Sequence, residues 1–147
     1  LKIHFDLEET EIKNKVFELL EKVELTPPEV FYDRHPHELS GGQQQRVAIA
    51  RAISTEPKLI ISDEAVASLD MSIRSEILKL LKKINTDTKV SMIMISHDLS
   101  VLKNMCNRIA IMHLGKIVEI GDKKEIFSSP QHDYTKKLIS ATLEIPN

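Results

Sequence analysis

Two glycines and a serine lie directly before a run of helix-forming residues. Ser40, Gly41, Gly42 and Gln43 are consecutive, and the helical run 47–52 follows shortly after them. Backbone N–H groups at a helix N-terminus have no intrahelical partner, and the helix dipole adds partial positive charge there. Glycine lets an anion approach that backbone closely, and Ser40 can cap the helix or donate its hydroxyl. This stretch therefore predicts an anion site, with phosphate as the best candidate.

Polar side chains also follow two short apolar runs further along the chain. Asp63 and Glu64 come directly after the run 58–62, and His97 comes after the run 90–95. Both runs are typical of buried parallel strands, and open α/β sheets bind ligands at the carboxyl ends of such strands. Taken alone, the acids also fit a solvated pair at a loop start, and a lone histidine at a strand end is more often structural than functional.

The elements that must position these residues alternate between helix and strand. The spacing of apolar residues predicts helices at 6–23, 43–55, 70–84, 98–106, 122–127 and 133–143, and strands at 58–62, 90–95, 109–112 and 116–120. Asp6 with Glu9 offers a capping box for the first helix, and Asp70 is expected to cap the third. A turn is expected at Leu114-Gly115. Strand–helix–strand alternation favours an α/β fold with a parallel sheet.

Composition narrows the classes of function. The 147 residues have the length of one ordinary domain, and a net charge of −2 gives no electrostatic reason to expect nucleic acid as a partner. Cys106 is the single cysteine, so an internal disulfide is excluded. The longest apolar runs have four residues, far below the roughly 18 that indicate a transmembrane helix.

The string from Leu39 to Gln43 resembles the signature motif of the ABC-type ATPases, and the motifs that follow arrive in that family's order. The strand ending at Asp63-Glu64 resembles Walker B, Ser68-Leu69-Asp70 resembles the D-loop, and Ile95-Ser96-His97-Asp98 resembles the switch-histidine region. The resemblance implies a partial P-loop NTPase fold with part of the family's helical subdomain at the N-terminus. By this resemblance, residues 1–40 would belong to that subdomain, residues 41–121 to the ATPase core and residues 122–147 to a C-terminal extension.

The resemblance also implies a role for each candidate residue. Ser40, Gly41, Gly42 and Gln43 would face the γ-phosphate of an ATP molecule held by a partner subunit, and Asp70 would help to position the opposing site. Asp63 would hold Mg²⁺ directly or through water, Glu64 would polarise the attacking water, and His97 would hydrogen-bond the γ-phosphate. ATP and Mg²⁺ are the implied cofactors.

Three further segments are similar to the ATP-binding subunits of peptide and nickel importers. They are residues 32–38, 114–121 and 129–138, although Asp133 stands where that subfamily usually has proline. The implied partners are a second, identical or paralogous ABC ATPase subunit, transmembrane permease subunits and, indirectly, a solute-binding protein. The implied location is the cytoplasmic face of the membrane, as a peripheral subunit that drives transport by ATP-dependent dimer closure.

A Gly-x-x-x-x-Gly-Lys-Ser/Thr loop, which cradles ATP phosphates, is absent from the sequence. Only four glycines are present, and the sole Gly-Lys pair, Gly115-Lys116, is followed by Ile117. The chain therefore carries half of an ATP site and is expected to be a fragment that is inactive alone. Two alternatives stay open: a soluble ABC ATPase of DNA repair or translation, and a non-catalytic remnant.

One residue departs from the family pattern beside the candidate acids. Ala65 follows Glu64 where the family commonly has proline. Alanine leaves φ free and restores a backbone N–H, so we expect a somewhat looser placement of Glu64 but not inactivation.

Overall fold

The computed structural model describes residues 8–143, with side chains to residue 141. The chain divides into two compact units, Leu1–Ile95 and Ser96–Asn147. The first contains α1 (Glu9–Lys22), α2 (Glu29–Tyr32), α3 (Gly41–Ile53), β1 (Leu59–Asp63), α4 (Met71–Thr88) and β2 (Ser91–Ile95). The second contains α5 (Leu99–Met105), β3 (Arg108–His113), β4 (Lys116–Asp122), α6 (Lys123–Ser128) and α7 (Asp133–Leu143). The domain boundaries at 40/41 and 121/122 stay predictions.

Helix α1 is amphipathic, as its apolar spacing predicts, and it buries Leu19 and Leu20. Its N-cap is Glu8, whose N–H donates to the Glu11 carboxylate at 2.9 Å. The predicted helix start at Asp6 lies outside the described residues. The expected pairing of Asp6 with Glu9 likewise involves a residue outside the described range, and the capping box that is observed joins Glu8 to Glu11.

The segment between α1 and α3 contains two short helical pieces. Helix α2 follows Pro27-Pro28, and a 3₁₀ turn covers Pro36–Glu38. Tyr32, at the end of α2, meets the edge of the Phe17 ring on α1 with 5.4 Å between ring centroids. Proline at the start of each piece has the φ that a first helical turn requires, which explains why these pieces form.

Strands β1 and β2 pair in parallel, with Leu59 opposite Ser91 and Asp63 opposite Ile95. This confirms the predicted α/β arrangement with a parallel sheet. Ser62 is buried, whereas Leu59, Ile61, Ile93 and Ile95 form an exposed apolar face of the pair. In the same unit, α3 packs on both α1 and α4, and α4 buries Ile77, Leu80, Leu81 and Ile84 at helical spacing.

In the second unit, β3 and β4 form an antiparallel hairpin with an irregularity between Ile111 and Met112. Leu114 and Gly115 form its turn, as expected, and both have positive φ, at 47° and 75°. Ile109 and Ile111 are buried, whereas Met112 on the other face is exposed. Between residues 8 and 143, none of the helices is long and apolar enough to cross a membrane.

Candidate functional site

The start of α3 is fixed by a reciprocal capping box. The Gln43 N–H donates to Ser40 Oγ at 3.3 Å, and the Ser40 N–H donates to Gln43 Oε1 at 3.0 Å. The predicted capping role of Ser40 is therefore confirmed. Because Ser40 Oγ accepts the N–H of the third helical residue, helix geometry leaves the N–H groups of Gly41 and Gly42 for an external acceptor.

Gln44 binds the segment that precedes α3, a role that was not predicted from the sequence. Gln44 Nε2 donates to the carbonyls of Pro36 at 2.9 Å and Leu39 at 3.1 Å. These two bonds tie the 3₁₀ turn and the residue before Ser40 to the first turn of α3. A polar side chain just after two helix-start glycines is the only signal in the sequence for this role.

The two glycines of α3 lie against the segment that leads into α4. A Cβ placed on Gly42 would lie 2.7 Å from Cγ2 of Ile73, and one placed on Gly41 would lie 3.6 Å from Cδ2 of Leu69. Real Cβ atoms avoid separations below 3.0 Å, so only glycine fits at Gly42 without a shift of its neighbour. The structure thus brings the signature-like residues next to the D-loop-like residues of the same chain.

Asp70 caps α4, as the sequence predicts. One oxygen, Oδ1, accepts from the Ser72 N–H at 3.1 Å, the Ser72 hydroxyl at 2.7 Å and the Ile73 N–H at 3.0 Å. The hydrogen bond from the Ile73 N–H, followed by that from the Ser72 hydroxyl, holds the pKa of Asp70 below its ordinary value. The Asp70 carboxylate is therefore ionised near neutral pH. It lies three residues before Ile73, which packs on Gly42.

Asp63 and Glu64 are both exposed at the carboxyl end of β1. Glu64 has a positive φ of 47°, which is uncommon for a residue with a Cβ. Its N–H donates to the Ile95 carbonyl at 3.0 Å, and its carbonyl accepts from the Ala67 N–H at 3.1 Å. The left-handed backbone turns the chain sharply after the strand, at the carboxyl edge of the strands, where open α/β sheets generally bind ligands.

A metal ion needs more ligands than these two acids provide. Among residues 8–143, no three His, Cys, Asp or Glu side chains gather into a group that could hold a metal ion. Mg²⁺ commonly uses one or two carboxylates and takes its other oxygens from water and substrate phosphates. Asp63 therefore fits a Mg²⁺–nucleotide complex better than a free metal ion.

His97 belongs to the second unit and is exposed two residues beyond the end of β2. Asp98 follows it and caps α5, accepting from the N–H groups of Ser100 at 2.9 Å and Val101 at 3.4 Å. The Asp98 N–H in turn donates to Ser96 Oγ at 3.1 Å. The residues on either side of His97 are thus held by local hydrogen bonds.

A cleft of about 380 Å³ lies elsewhere in the first unit. Its lining includes Leu19 of α1, Ile53 at the end of α3, and Ile60 and Val90 near the amino ends of the strands. An exposed ion pair between Lys15 and Glu56, at 3.2 Å, lies at its rim. The cleft is therefore at the opposite end of the strands from Asp63 and Glu64, and none of the candidate residues lines it.

Two protein-family profiles match this chain. The ABC transporter profile matches residues 1–67, which contain the signature-like string and the two acids at the end of β1. A profile described as the oligopeptide/dipeptide transporter C-terminal region matches residues 118–147. The two matches cover separate parts of the chain, and they agree with the two resemblances found in the sequence.

Curated relatives match nearly the whole chain. The oligopeptide transport ATP-binding protein OppF of Mycoplasma genitalium is 47% identical over 140 residues, which are 95% of this chain and 16% of that protein. The glutathione import ATP-binding protein GsiA of Escherichia coli K12 is 46% identical over 141 residues, which are 96% of this chain and 22% of that protein. The chain thus spans about a fifth of the length of these relatives.

Solved structures support the same assignment at the level of the fold. A dimeric post-hydrolysis state of the ATP-binding cassette MJ0796, bound to ADP and Pi, superposes with a TM-score of 0.69 at 32% identity. The match covers 81% of this chain and 50% of that one. A second dimeric structure of the same bacterial ABC transporter cassette gives a TM-score of 0.68. On the motifs, the profiles, the relatives and the fold, this chain is similar to the ABC-type ATPases, and over nearly its whole length it is similar to ATP-binding subunits of the oligopeptide-importer type.

Proposed function

We propose that this chain supplies the signature, the catalytic acids and the switch histidine of an ATP-hydrolysing subunit in an ABC importer for peptides. The observation that carries the proposal is the reciprocal cap between Ser40 and Gln43 at a helix start with two glycines. This arrangement can present polar groups to an anion, and the match to the ABC transporter profile supports a phosphate of ATP as that anion.

The signature acts by donating hydrogen bonds to phosphate oxygens. Because Ser40 Oγ accepts the Gln43 N–H, its own proton is directed elsewhere and is available to a phosphate oxygen. The N–H groups of Gly41 and Gly42 add two further donors at the positive end of the helix dipole. The ATP molecule that they contact is held by the P-loop of a second ABC ATPase subunit, identical or paralogous.

The acids and the histidine serve hydrolysis. Glu64 accepts a proton from a water molecule whose oxygen attacks the γ-phosphorus, while the bond from that phosphorus to the β–γ bridging oxygen breaks and ADP leaves. His97 donates a hydrogen bond to the γ-phosphate. Mg²⁺, when bound with the nucleotide near Asp63, neutralises phosphate charge. Asp70 shapes the turn that faces the opposing subunit.

The remaining partners follow from the importer assignment. Two ATP-binding subunits close around ATP and drive permease subunits, which receive solute from a solute-binding protein. The subunit is peripheral at the cytoplasmic face of the membrane and needs no nucleic acid, which agrees with its net charge of −2. Peptides are favoured over nickel as the solute because residues 118–147 match the oligopeptide/dipeptide transporter region and the relatives carry oligopeptides or glutathione in their names.

The test uses the full-length product of the gene and measures Mg²⁺-dependent ATP hydrolysis. Glu64→Gln is expected to lower kcat by about 100-fold or more, because it removes a general base. Glu56→Gln is a matched control, since Glu56 is also exposed and also has a positive φ, of 51°, but lies before β1. Unchanged hydrolysis in the Glu64→Gln protein would overturn the catalytic assignment.

A second variant tests the signature without removing the helix cap. Ser40→Asp keeps a good N-cap but places a negative charge where the phosphate is expected. We expect an unchanged Tm with hydrolysis lowered by about 100-fold, as for loss of a transition-state donor. Ser75→Asp, at an exposed position of α4, is the control. ATP binding without hydrolysis by the unaltered full-length product favours the non-catalytic alternative; hydrolysis stimulated by DNA or ribosomes rather than by permease favours the soluble one.

A further inference from the structure

Arg46 joins three helices of the first unit through one side chain. Nη1 donates to the Val23 carbonyl at 2.9 Å and to the Glu24 carboxylate at 2.8 Å, and Nη2 donates to the Glu76 carboxylate at 3.2 Å. Val23 and Glu24 follow α1, Arg46 lies on α3, and Glu76 lies on α4. A single guanidinium therefore connects the end of α1 with the signature helix and with the helix that Asp70 caps.

The environment explains why this residue is an arginine. Its side chain is only 12% exposed, whereas those of Glu24 and Glu76 are 48% and 56% exposed. A largely buried charge is costly unless its donors are satisfied, and the planar guanidinium offers five donors in a fixed geometry. Val23 provides one of the last carbonyls of α1, which carry partial negative charge at the helix C-terminus. Lysine, with one compact charged group, does not span the same acceptors.

The contact between Arg46 and Glu76 lies one helical turn from the contact between Gly42 and Ile73. Gly42 precedes Arg46 by four residues on α3, and Ile73 precedes Glu76 by three on α4, so each pair shares a helix face. One contact is steric, because Gly42 leaves no space for a Cβ beside Ile73. The other is ionic. Two contacts of different kind, one turn apart, fix the rotation of α3 relative to α4.

We propose that Arg46 is a positioning residue that holds the signature residues 40–43 in place against the Asp70 turn and links them to the end of α1. The inference rests on the proposed function for its catalytic consequence. A change in the position of α1 is transmitted to the signature helix because Arg46 binds Val23, Glu24 and Glu76 together. Arg46 touches no reacting atom and acts through the helix that carries Ser40.

Hydrogen exchange in the full-length gene product tests the positioning role directly. Arg46→Lys is expected to raise the exchange rates of the amides of residues 43–46 by about tenfold, because it loosens the start of α3 through loss of charge-assisted hydrogen bonds. Amides of β3, in the second unit, are expected to be unchanged. Arg51→Lys is the matched control, since Arg51 lies on the same helix and is exposed. An equal rise in both units, or no rise at residues 43–46, would overturn the proposal.

Kinetics and a second variant separate positioning from a merely structural role. Arg46→Lys is expected to lower kcat for ATP hydrolysis by about tenfold with the KM for ATP unchanged, because only the geometry of the reacting complex is altered. Glu76→Gln is expected to raise exchange at residues 43–46 by a smaller factor, about threefold, since it removes one exposed partner. If the unaltered protein hydrolyses no ATP, the proposed function fails, while the exchange measurement still decides the role of Arg46.

Discussion

Gly42 lies so close to Ile73 that a Cβ added to the glycine would come within 2.7 Å of Ile73 Cγ2. The neighbouring glycine has no such constraint, because a Cβ at Gly41 would lie 3.6 Å from Leu69 Cδ2, an ordinary contact distance. Two adjacent glycines of one motif therefore have different physical requirements. Gly42 is needed for packing within the chain, whereas packing within the chain does not require glycine at position 41.

Gly42→Ala is expected to lower the free energy of unfolding by about 1–3 kcal/mol, the usual cost of an added atom in a packed contact. Gly41→Ala is the matched control. It is expected to raise the free energy of unfolding by no more than about 0.5–1 kcal/mol, because alanine favours the helix. Denaturant unfolding of the two variants measures the difference. Ile73→Ala should reduce the cost of Gly42→Ala in the double variant; strictly additive effects would contradict the steric explanation.

Glu64 is expected to store backbone strain in the left-handed region. At a φ of 47°, glycine avoids a steric cost of about 1–2 kcal/mol that any residue with a Cβ bears. Glu64→Gly is therefore expected to be more stable than Glu64→Ala by about 1 kcal/mol, although both lack the carboxylate. Because both variants lack the Glu64 carboxylate, the difference in stability between them does not include the contacts of that side chain. Equal unfolding midpoints for the two variants would show that the backbone at this position is relaxed.

The positive φ of Glu64 reverses the expectation from the sequence that alanine at position 65 loosens Glu64, because proline at that position should strain the same backbone. A proline disfavours helical conformations of the residue before it and favours extended ones, so Ala65→Pro should oppose the conformation of Glu64. We expect a loss of stability of about 1–3 kcal/mol, with a lower kcat in the full-length product and an unchanged response to Mg²⁺. Ala65→Ser, which leaves φ free, is the control. Identical stability and turnover in both variants would show that this departure from the family pattern is harmless.

Glu119 connects β4 to the segment before α7 and is expected to give the second unit an acid-sensitive contact. Its carboxylate accepts from the N–H groups of Gln131 at 2.8 Å and His132 at 3.1 Å. The hydrogen bond from Gln131, followed by the influence of the Thr135 hydroxyl, holds the pKa of Glu119 below its ordinary value. A folded-state pKa below the unfolded one means that the stabilisation is complete above the unfolded pKa, about 4.3, and is lost as pH falls below it.

The measurement compares the Tm of the unaltered protein with that of Glu119→Gln between neutral and acid pH. The difference between them is expected to be largest above about pH 5 and to shrink as the carboxylate is protonated. Asp133, whose pKa is also lowered, chiefly by the Lys136 hydrogen bond, is present in both proteins and cancels in the comparison. A difference that grows toward acid pH would contradict this role of Glu119.

The sequence predicted the features that depend on local chemistry. Helix caps at Ser40 and Asp70 and the hairpin turn at Leu114-Gly115 are all observed, because each is set by residues within a few positions of one another. The parallel strand pair is observed too, although α4 lies between its strands in the sequence, because the alternation of strand, helix and strand favours parallel pairing. The contacts of Arg46 were not predicted, since its partners lie 22 to 30 residues away. The positive φ of Glu64 was also missed, because it depends on the bond of its N–H to Ile95 on the neighbouring strand.

The 147 residues alone are expected to release no phosphate from ATP, even with Mg²⁺. Under the proposed function the signature and the acids contact a nucleotide, but the sequence contains no Gly-x-x-x-x-Gly-Lys-Ser/Thr loop to hold its β-phosphate. Asp63 and Glu64 then face no fixed phosphate, and proximity, which supplies much of the rate acceleration of such enzymes, is lost. Phosphate release is measured for this chain, with Glu64→Gln as the background. Release above that background would mean that these residues form a complete nucleotide site by themselves.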